Sequence, residues 1–309
     1  MQLARSRSWF ALLSFPLMAA CGSTVSGTPV VDAGVGPVPE VDAAAPLAPS
    51  SSDVCVPRAP AEVRCVDVES GAVVDIAGTR GASVLDSVGA RRCALRGDGA
   101  IACWSRGERA AVVLDAGARF VDIDVSSSRV CGATVDARVA CFDEAGTIAW
   151  ADVSDVLDVA IAGEALCVAY ANGTAECFWE NELDAYALPL AGVIQLDGHG
   201  GLLAAAALDG TVHVAPELDA LRERGDEAMQ RIDGVRGRAL IATSAGACVI
   251  AEDGRTPCWS PAGLVQSTAL DGARSLVATD PLVCALLDEA TICVSAGEPG
   301  AVVWQGSAR

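Results

Sequence analysis

Cysteine spacing constrains this chain more than any other feature. Thirteen cysteines are spread over 309 residues. Twelve of them group into six local pairs: Cys55 and Cys65, Cys93 and Cys103, Cys131 and Cys141, Cys167 and Cys177, Cys248 and Cys258, Cys284 and Cys293. Five pairs are spaced by ten residues and the last by nine. Between the members of a pair lies a turn signal such as Gly97-Asp98-Gly99, Ala171-Asn172-Gly173 or Glu252-Asp253-Gly254, flanked by short alternating apolar residues. This pattern predicts a β-hairpin. A three-residue loop with glycine last pairs Arg96 with Ala100 and, counting outward, Cys93 with Cys103. Directly opposed residues hold their Cβ atoms about 4.5 to 5.5 Å apart, so a small adjustment permits a disulfide. The last pair supports the register: its turn, Asp288-Glu289, is one residue shorter, and Cys284 again falls opposite Cys293.

The same template finds a seventh unit without cysteines. Its turn is Leu208-Asp209-Gly210, and Ala204 and Val214 occupy the two cysteine positions. Losing both cysteines together is what a mutual bond predicts. The units start at 55, 93, 131, 167, 204, 248 and 284, separated by 38, 38, 36, 37, 44 and 36 residues. That is a repeat architecture of seven units. Most hairpins are preceded by a further strand signal, as in Phe120-Val121-Asp122-Ile123, Val156-Leu157-Asp158-Val159 and Val193-Ile194-Gln195-Leu196. Units of about 37 residues with several antiparallel strands suit the blades of a propeller, and seven blades close a ring. The alternative is an open β-solenoid, which would need capping ends.

Cys93-Ala-Leu, followed by Asp98-Gly99 and Cys103-Trp104, and Cys248-Val-Ile, followed by Asp253-Gly254 and Cys258-Trp259, resemble the repeat of the regulator of chromosome condensation family. The resemblance runs from about residue 88 to 295, with a weaker unit at Cys55 that carries Pro60 in its turn. It implies an all-β, seven-bladed β-propeller. The family's Gly-Gln-Leu-Gly segment after the tryptophan is missing, since Ser105-Arg106-Gly107 follows Trp104. Nothing matches the surface by which nuclear members promote nucleotide exchange. The paired-cysteine form looks like repeats of exported bacterial proteins, and another exported bacterial branch of the superfamily inhibits β-lactamases through one propeller face.

The N-terminal layout also points to export. Arg5 and Arg7 precede an apolar run from Trp9 to Ala20, which is too short to span a membrane and ends on small residues ahead of Cys21. Residues 1–20 read as a signal peptide. Leu17-Met18-Ala19-Ala20-Cys21 resembles the bacterial lipoprotein box, which implies a lipid on Cys21; Met18 stands where leucine is usual. The alternative is ordinary cleavage after Ala20, leaving Cys21 as a bystander thiol. An exported chain with twelve paired cysteines and one odd one fits lipidation better. Residues 21–52 supply the lipidated cysteine and a Pro/Ala-rich segment without aromatic residues or hydrophobic period, expected to serve as a disordered tether. Residues 53–309 form the repeat domain. Gly22 lacks the aspartate that retains many lipoproteins in the inner membrane, so the outer membrane is the expected address.

Net charge is −19, and removal of Arg5 and Arg7 with the signal peptide takes it to −21. Such a surface repels nucleic acid and anionic lipid heads, so membrane contact is expected through the lipid alone. There is no lysine, which removes Schiff-base chemistry and phosphate-loop lysines.

Candidate sites are few. Trp104, Phe142, Phe178 and Trp259 follow the second cysteine of their units, and a residue at a fixed offset in successive repeats is expected to pack one blade on the next. His199 and His213 are the only histidines. Neither has a cysteine or carboxylate at ligand spacing, and both are expected at the surface, His199 in a Gly198-His-Gly-Gly turn. No nucleophile elbow, phosphate loop or His-Glu-x-x-His occurs. No catalytic residue, metal ligand or cofactor is assigned. The long 44-residue step marks an insertion at 216–236, expected as a short helix or exposed loop. It is either a solvated excursion or a partner contact. The sequence therefore points to a monomeric, non-catalytic cell-envelope lipoprotein that binds a protein or envelope ligand. The alternative is an envelope-acting enzyme with carboxylates on one propeller face.

Overall fold

In every unit a short turn, glycine-ended in four of them, reverses the chain and sets two strands in the expected register. The computed structural model describes residues 53–58, 60–179, 185–288 and 290–307. The expected signal peptide, Cys21 and the expected tether lie outside them. Arg96 N–H donates to the Ala100 carbonyl and Gly99 N–H to the Arg96 carbonyl, both at 2.9 Å, closing the predicted three-residue loop. Gly99, Gly173, Gly210 and Gly254 all take φ of +82° or +83°, a conformation glycine adopts without steric cost. All six predicted cysteine pairs stand directly opposite one another and are bonded. In the cysteine-free unit Ala204 faces Val214, as the template requires.

Seven antiparallel blades result, spanning residues 53–76, 84–114, 120–150, 156–187, 193–236, 237–266 and 275–307. Blades 2 to 7 have four strands each, in sequence order from the axis outward. Blades 5 and 6 share one long strand, Gln230–Thr243, whose first part pairs with Thr211–Ala215 and whose second part pairs with Gly246–Ala251. The last blade receives its outer strand from the C-terminal segment Glu298–Ser307.

Blade 1 differs. Its first described strand, Asp53–Val56, is the hairpin strand, so among the described residues it has no innermost strand. The inner strands of blades 7 and 2, Ser275–Thr279 and Val84–Val88, pack directly on each other there. Ser87 Oγ receives Asp280 N–H at 3.1 Å and donates to the Ala278 carbonyl at 3.4 Å. Thr279 Oγ1 donates to the Cys55 carbonyl at 3.3 Å. Asp53 forms ion pairs with the buried Arg92, through Nη2, and with Arg106, through Nε at 3.0 Å. Among the described residues, seven blades thus surround six inner strands.

The core is a set of layers between blades. Trp104 of blade 2 packs on Val54, Val74 and Ile76 of blade 1. Phe142 of blade 3 packs with Cys93, Leu95 and Ile101 of blade 2, and Phe178 of blade 4 against Ala133 and Val139 of blade 3. Trp259 of blade 6 joins Leu202 and Ala204 of blade 5. The aromatic residue after the second cysteine is therefore an inter-blade filler, as expected.

The insertion is not a solvated excursion. It forms a short helix, Ala220–Arg224, and a 3₁₀ turn, Gly225–Ala228. Leu218, Leu221 and Ala228 are buried with Trp179 and Leu188 of blade 4. Trp179 Nε1 donates to Asp219 at 3.0 Å. The apolar residues at 218 and 221 share one face of the turn and cover the step between blades 4 and 5.

Candidate functional site: the propeller axis and its hairpin-turn face

Alternation within the inner strands carries acidic side chains to the axis. Positions 86, 124 and 197 lie opposite the first cysteine position of their hairpins, and positions 122, 158 and 195 lie two residues earlier, nearer the hairpin turns. They form two tiers of clasps from blade to blade. In the tier farther from the turns, Asp86 Oδ2 accepts Val125 N–H at 2.8 Å, and Asp124 Oδ2 accepts Ile161 N–H at 2.8 Å. Blade 4 has Ala160 here, and Asp124 also reaches Gly198 N–H at 3.2 Å. Asp197 accepts from Ala242 N–H. In the other tier, Asp122 accepts Val159 N–H at 3.4 Å and Asp158 accepts Leu196 N–H at 2.6 Å. Gln195 then exchanges two 3.1 Å bonds with the Leu240 backbone. Inner-strand edges that would otherwise leave amides unpaired are satisfied in this way.

Electrostatics follow from the crowding. Asp86, Asp124 and Asp158 are buried, while Asp122 and Asp197 are half-buried. Desolvation pushes Asp124, Asp158 and Asp197 well above the usual carboxylate range, with repulsion from neighbouring carboxylates adding to it. Asp86 and Asp122 are raised by the same burial. Asp86 hydrogen-bonds Asp124, and Asp122 hydrogen-bonds Asp158. Within each pair the two carboxyl groups oppose each other's ionisation, because adjacent carboxylates cannot both ionise at low cost.

His199 corrects the sequence expectation. It is 4% exposed rather than at the surface, and its Nε2 lies 3.2 Å from Asp280 Oδ1. The inner strand runs through Val193–His199, with His199 paired to Leu202, so the turn is Gly200-Gly201 and the histidine points inward at the seam. His213 is half-buried, not at the surface, and sits opposite Arg231. Burial first, and then the Arg231 charge, lower its pKa.

At the hairpin-turn end the axis opens into a cavity of about 210 Å³, lined by Asp86, Asp122, Asp124, Asp197, Gln195 and Arg274 among others. Besides the inner strand of blade 6, which is irregular between Gly237 and Ala239, three inner strands carry a β-bulge where they enter it, between Phe120 and Asp122, Val156 and Asp158, and Val193 and Gln195. The bulged residues are Val121, Leu157 and Ile194, which are 51%, 45% and 38% exposed. The opposite mouth is a separate cavity of about 440 Å³ lined by Ser126, Ser127, Ser128, Arg129, Glu164 and Gly200 among others. The bulged strands are legible in the sequence, whereas the place of their carboxylates is not assigned there. The signal was there: Asp at alternate positions of the strand before a hairpin.

Fold and axis together define a seven-bladed, disulfide-stapled β-propeller with an acidic core girdle. No family model matches the sequence, and no curated protein sequence matches it. Among solved structures the chain is similar to Prp20p of Saccharomyces cerevisiae, the yeast RCC1, with 11% identity, a TM-score of 0.53 and coverage of 71% of this chain and 73% of that one. That structure was described with its binding to Gsp1p and histones. The computationally designed Ika8 protein aligns with 16% identity, a TM-score of 0.52 and coverage of 80% and 79%. PorZ of Porphyromonas gingivalis, a bacterial surface component of the type-IX secretion system, aligns with 15% identity and a TM-score of 0.52. It covers 78% of this chain but only 36% of its own length. At these identities the likeness is one of fold: an RCC1-like propeller, as the repeat pattern implied.

Proposed function

We propose that the protein is an exported binding module, tethered to the bacterial envelope by lipid on Cys21, that presents its hairpin-turn face to a partner and performs no catalysis. One observation carries this reading. Asp53, where the described chain begins, matches Arg91 of the next blade in register, because Cys55 corresponds to Cys93. Arg91 pairs with Val88 at the end of its inner strand, opposite the turns. Asp53 therefore lies at one face, and the exposed apolar bulges lie at the other. A tether joined at Asp53 leaves the apolar bulges clear of its point of attachment.

Six disulfides suit an oxidising compartment, and the acidic surface disfavours nucleic acid. The axial carboxyls accept backbone N–H groups, which gives them a structural task without a catalytic one. Prp20p and PorZ support the idea that this scaffold serves in protein contacts and at bacterial surfaces. The outer membrane is the proposed address and a monomer the proposed state. The test uses full-length protein isolated from its native envelope. Non-reducing peptide mapping should find six local disulfides and a diacylglyceryl group on Cys21, and immobilised protein should capture an envelope component stoichiometrically. Turnover of an envelope glycan or peptide by the purified protein, or an unmodified Cys21, would overturn the corresponding part.

A further inference from the structure

The hairpin-turn face is divided into two halves. In blades 3, 4 and 5 the bulges expose Val121, Leu157 and Ile194, and the adjoining turns add Val135 and Leu208. Val135 N–H donates to the Arg119 carbonyl and Leu208 N–H to the Gly192 carbonyl, so these turn residues sit beside the segments leading into the bulged strands. In blades 6 and 7 the equivalent turns carry Glu252 and Asp288. Arg236 and Arg274 of that half pair with Glu252 and Asp288 respectively. Apolar side chains exposed on three successive blades of a strongly acidic protein call for a cover. Val121 and Ile194 directly precede Asp122 and Gln195, which line the axial cavity, and Asp122 and Asp197 remain half-exposed there. The cavity's own cation, Arg274, is held by Asp288, while the carboxyl groups of Asp86, Asp122, Asp124 and Asp197 line the cavity. Charge complementarity selects a cationic occupant there, and the rim selects an apolar one.

Resting on the binding-module reading, we propose that this face docks a protein segment whose apolar residues cover Val121, Leu157 and Ile194 and whose arginine or lysine side chain enters the axial cavity. A cationic side chain beside apolar residues satisfies both halves at once: the stem packs on the rim and the head meets carboxyl groups in a low-dielectric pocket, where such contacts are strongest. A second copy of this chain is a poor occupant, because it has no lysine and carries a net charge of −19.

The probe is a displayed library of random linear peptides selected on the full-length protein. Enriched peptides should share a basic residue flanked by apolar ones. Replacing the arginine of the best peptide with citrulline, which keeps the shape and removes the charge, should weaken binding at least tenfold. The Leu157→Asp/Ile194→Asp protein should lose a similar factor, whereas Val303→Asp, an exposed apolar position on the outer strand of blade 7, should not. Unchanged thermal unfolding would show that the variants are folded. No enrichment, peptides without a basic residue, or binding indifferent to Leu157→Asp/Ile194→Asp would overturn the proposal. If the double variant still captures the envelope component, this site falls and the binding-module reading stands. If wild-type protein captures nothing, that reading falls.

Discussion

At the residue scale, backbone conformation at the turns makes a sharp comparison. Four three-residue turns end in a glycine near φ +82°, but blade 3 ends its turn in Ala137 at φ +56°. A side chain in the left-handed region costs about 1 kcal/mol, so Ala137→Gly should raise stability by up to about that amount in chemical denaturation, reduced by the added entropy of the unfolded chain. Gly99→Ala should lower it, because a Cβ at Gly99 would meet Arg119 Cβ at 2.9 Å as well as the strained φ. Gly198 is restricted for another reason. A Cβ there would lie 2.6 Å from the Ile161 carbonyl oxygen on the neighbouring inner strand. Gly198→Ala must push blades 4 and 5 apart and break the Asp124 contact, and a lowered Tm with faster hydrogen exchange in both inner strands is the expected result.

At the element scale, the inner strands exchange ladder bonds for carboxyl clasps, and this makes stability depend on pH. A carboxyl whose pKa is raised by folding contributes most when protonated, below the ordinary aspartate value of about 3.9. That contribution is lost as pH rises through the raised value. Asp86, Asp122, Asp124, Asp158 and Asp197 all act in this direction. Asp75, held low by Arg64, and Asp280, held low by His199 and Ser244 against its burial, act oppositely and lose their contribution as pH falls through their lowered values. Tm should therefore be highest in mildly acidic buffer and fall toward neutral and alkaline pH. Asp124→Asn, which cannot ionise and keeps an acceptor for Ile161 N–H, should flatten the alkaline limb. A Tm that rises steadily from pH 5 to 8 in the wild type would contradict this account of the girdle.

At the scale of the whole molecule, six of the seven blades are stapled locally, while side chains link the blades at the seam. A disulfide across a ten-residue separation stabilises by about 3 kcal/mol in the chain-entropy account. Blade 5 shows that a blade folds with Ala204 and Val214 in place of the pair. Cys131→Ala/Cys141→Val should consequently cost about 2 to 3 kcal/mol in denaturant unfolding while leaving the fold intact. The seam should be more sensitive. Asp53→Asn leaves the buried Arg92 guanidinium without its counter-charge, for which breaking a buried pair typically costs about 3 to 5 kcal/mol. Limited proteolysis should then cut first in blade 1.

Local order was legible in the sequence because its causes are local. Glycine at the third turn position, cysteines equidistant from the turn's central residue and a recurring repeat length determined the hairpins, the disulfide register, the cysteine-free seventh unit and the propeller. Tertiary structure decided what depends on residues far apart in the chain. Asp124 became a clasp only because curvature brought Ile161 and Gly198 alongside it, and His199 was turned inward by a strand two residues longer than its glycines suggested. The insertion at 216–236 is charged as a string of residues, yet Leu218 and Leu221 find a hydrophobic step that exists only between two finished blades. The axial cavity and its apolar rim are likewise products of closure. A periodic sequence specifies each blade, whereas the meeting of blades around an axis specifies which side chains are buried, paired or left open.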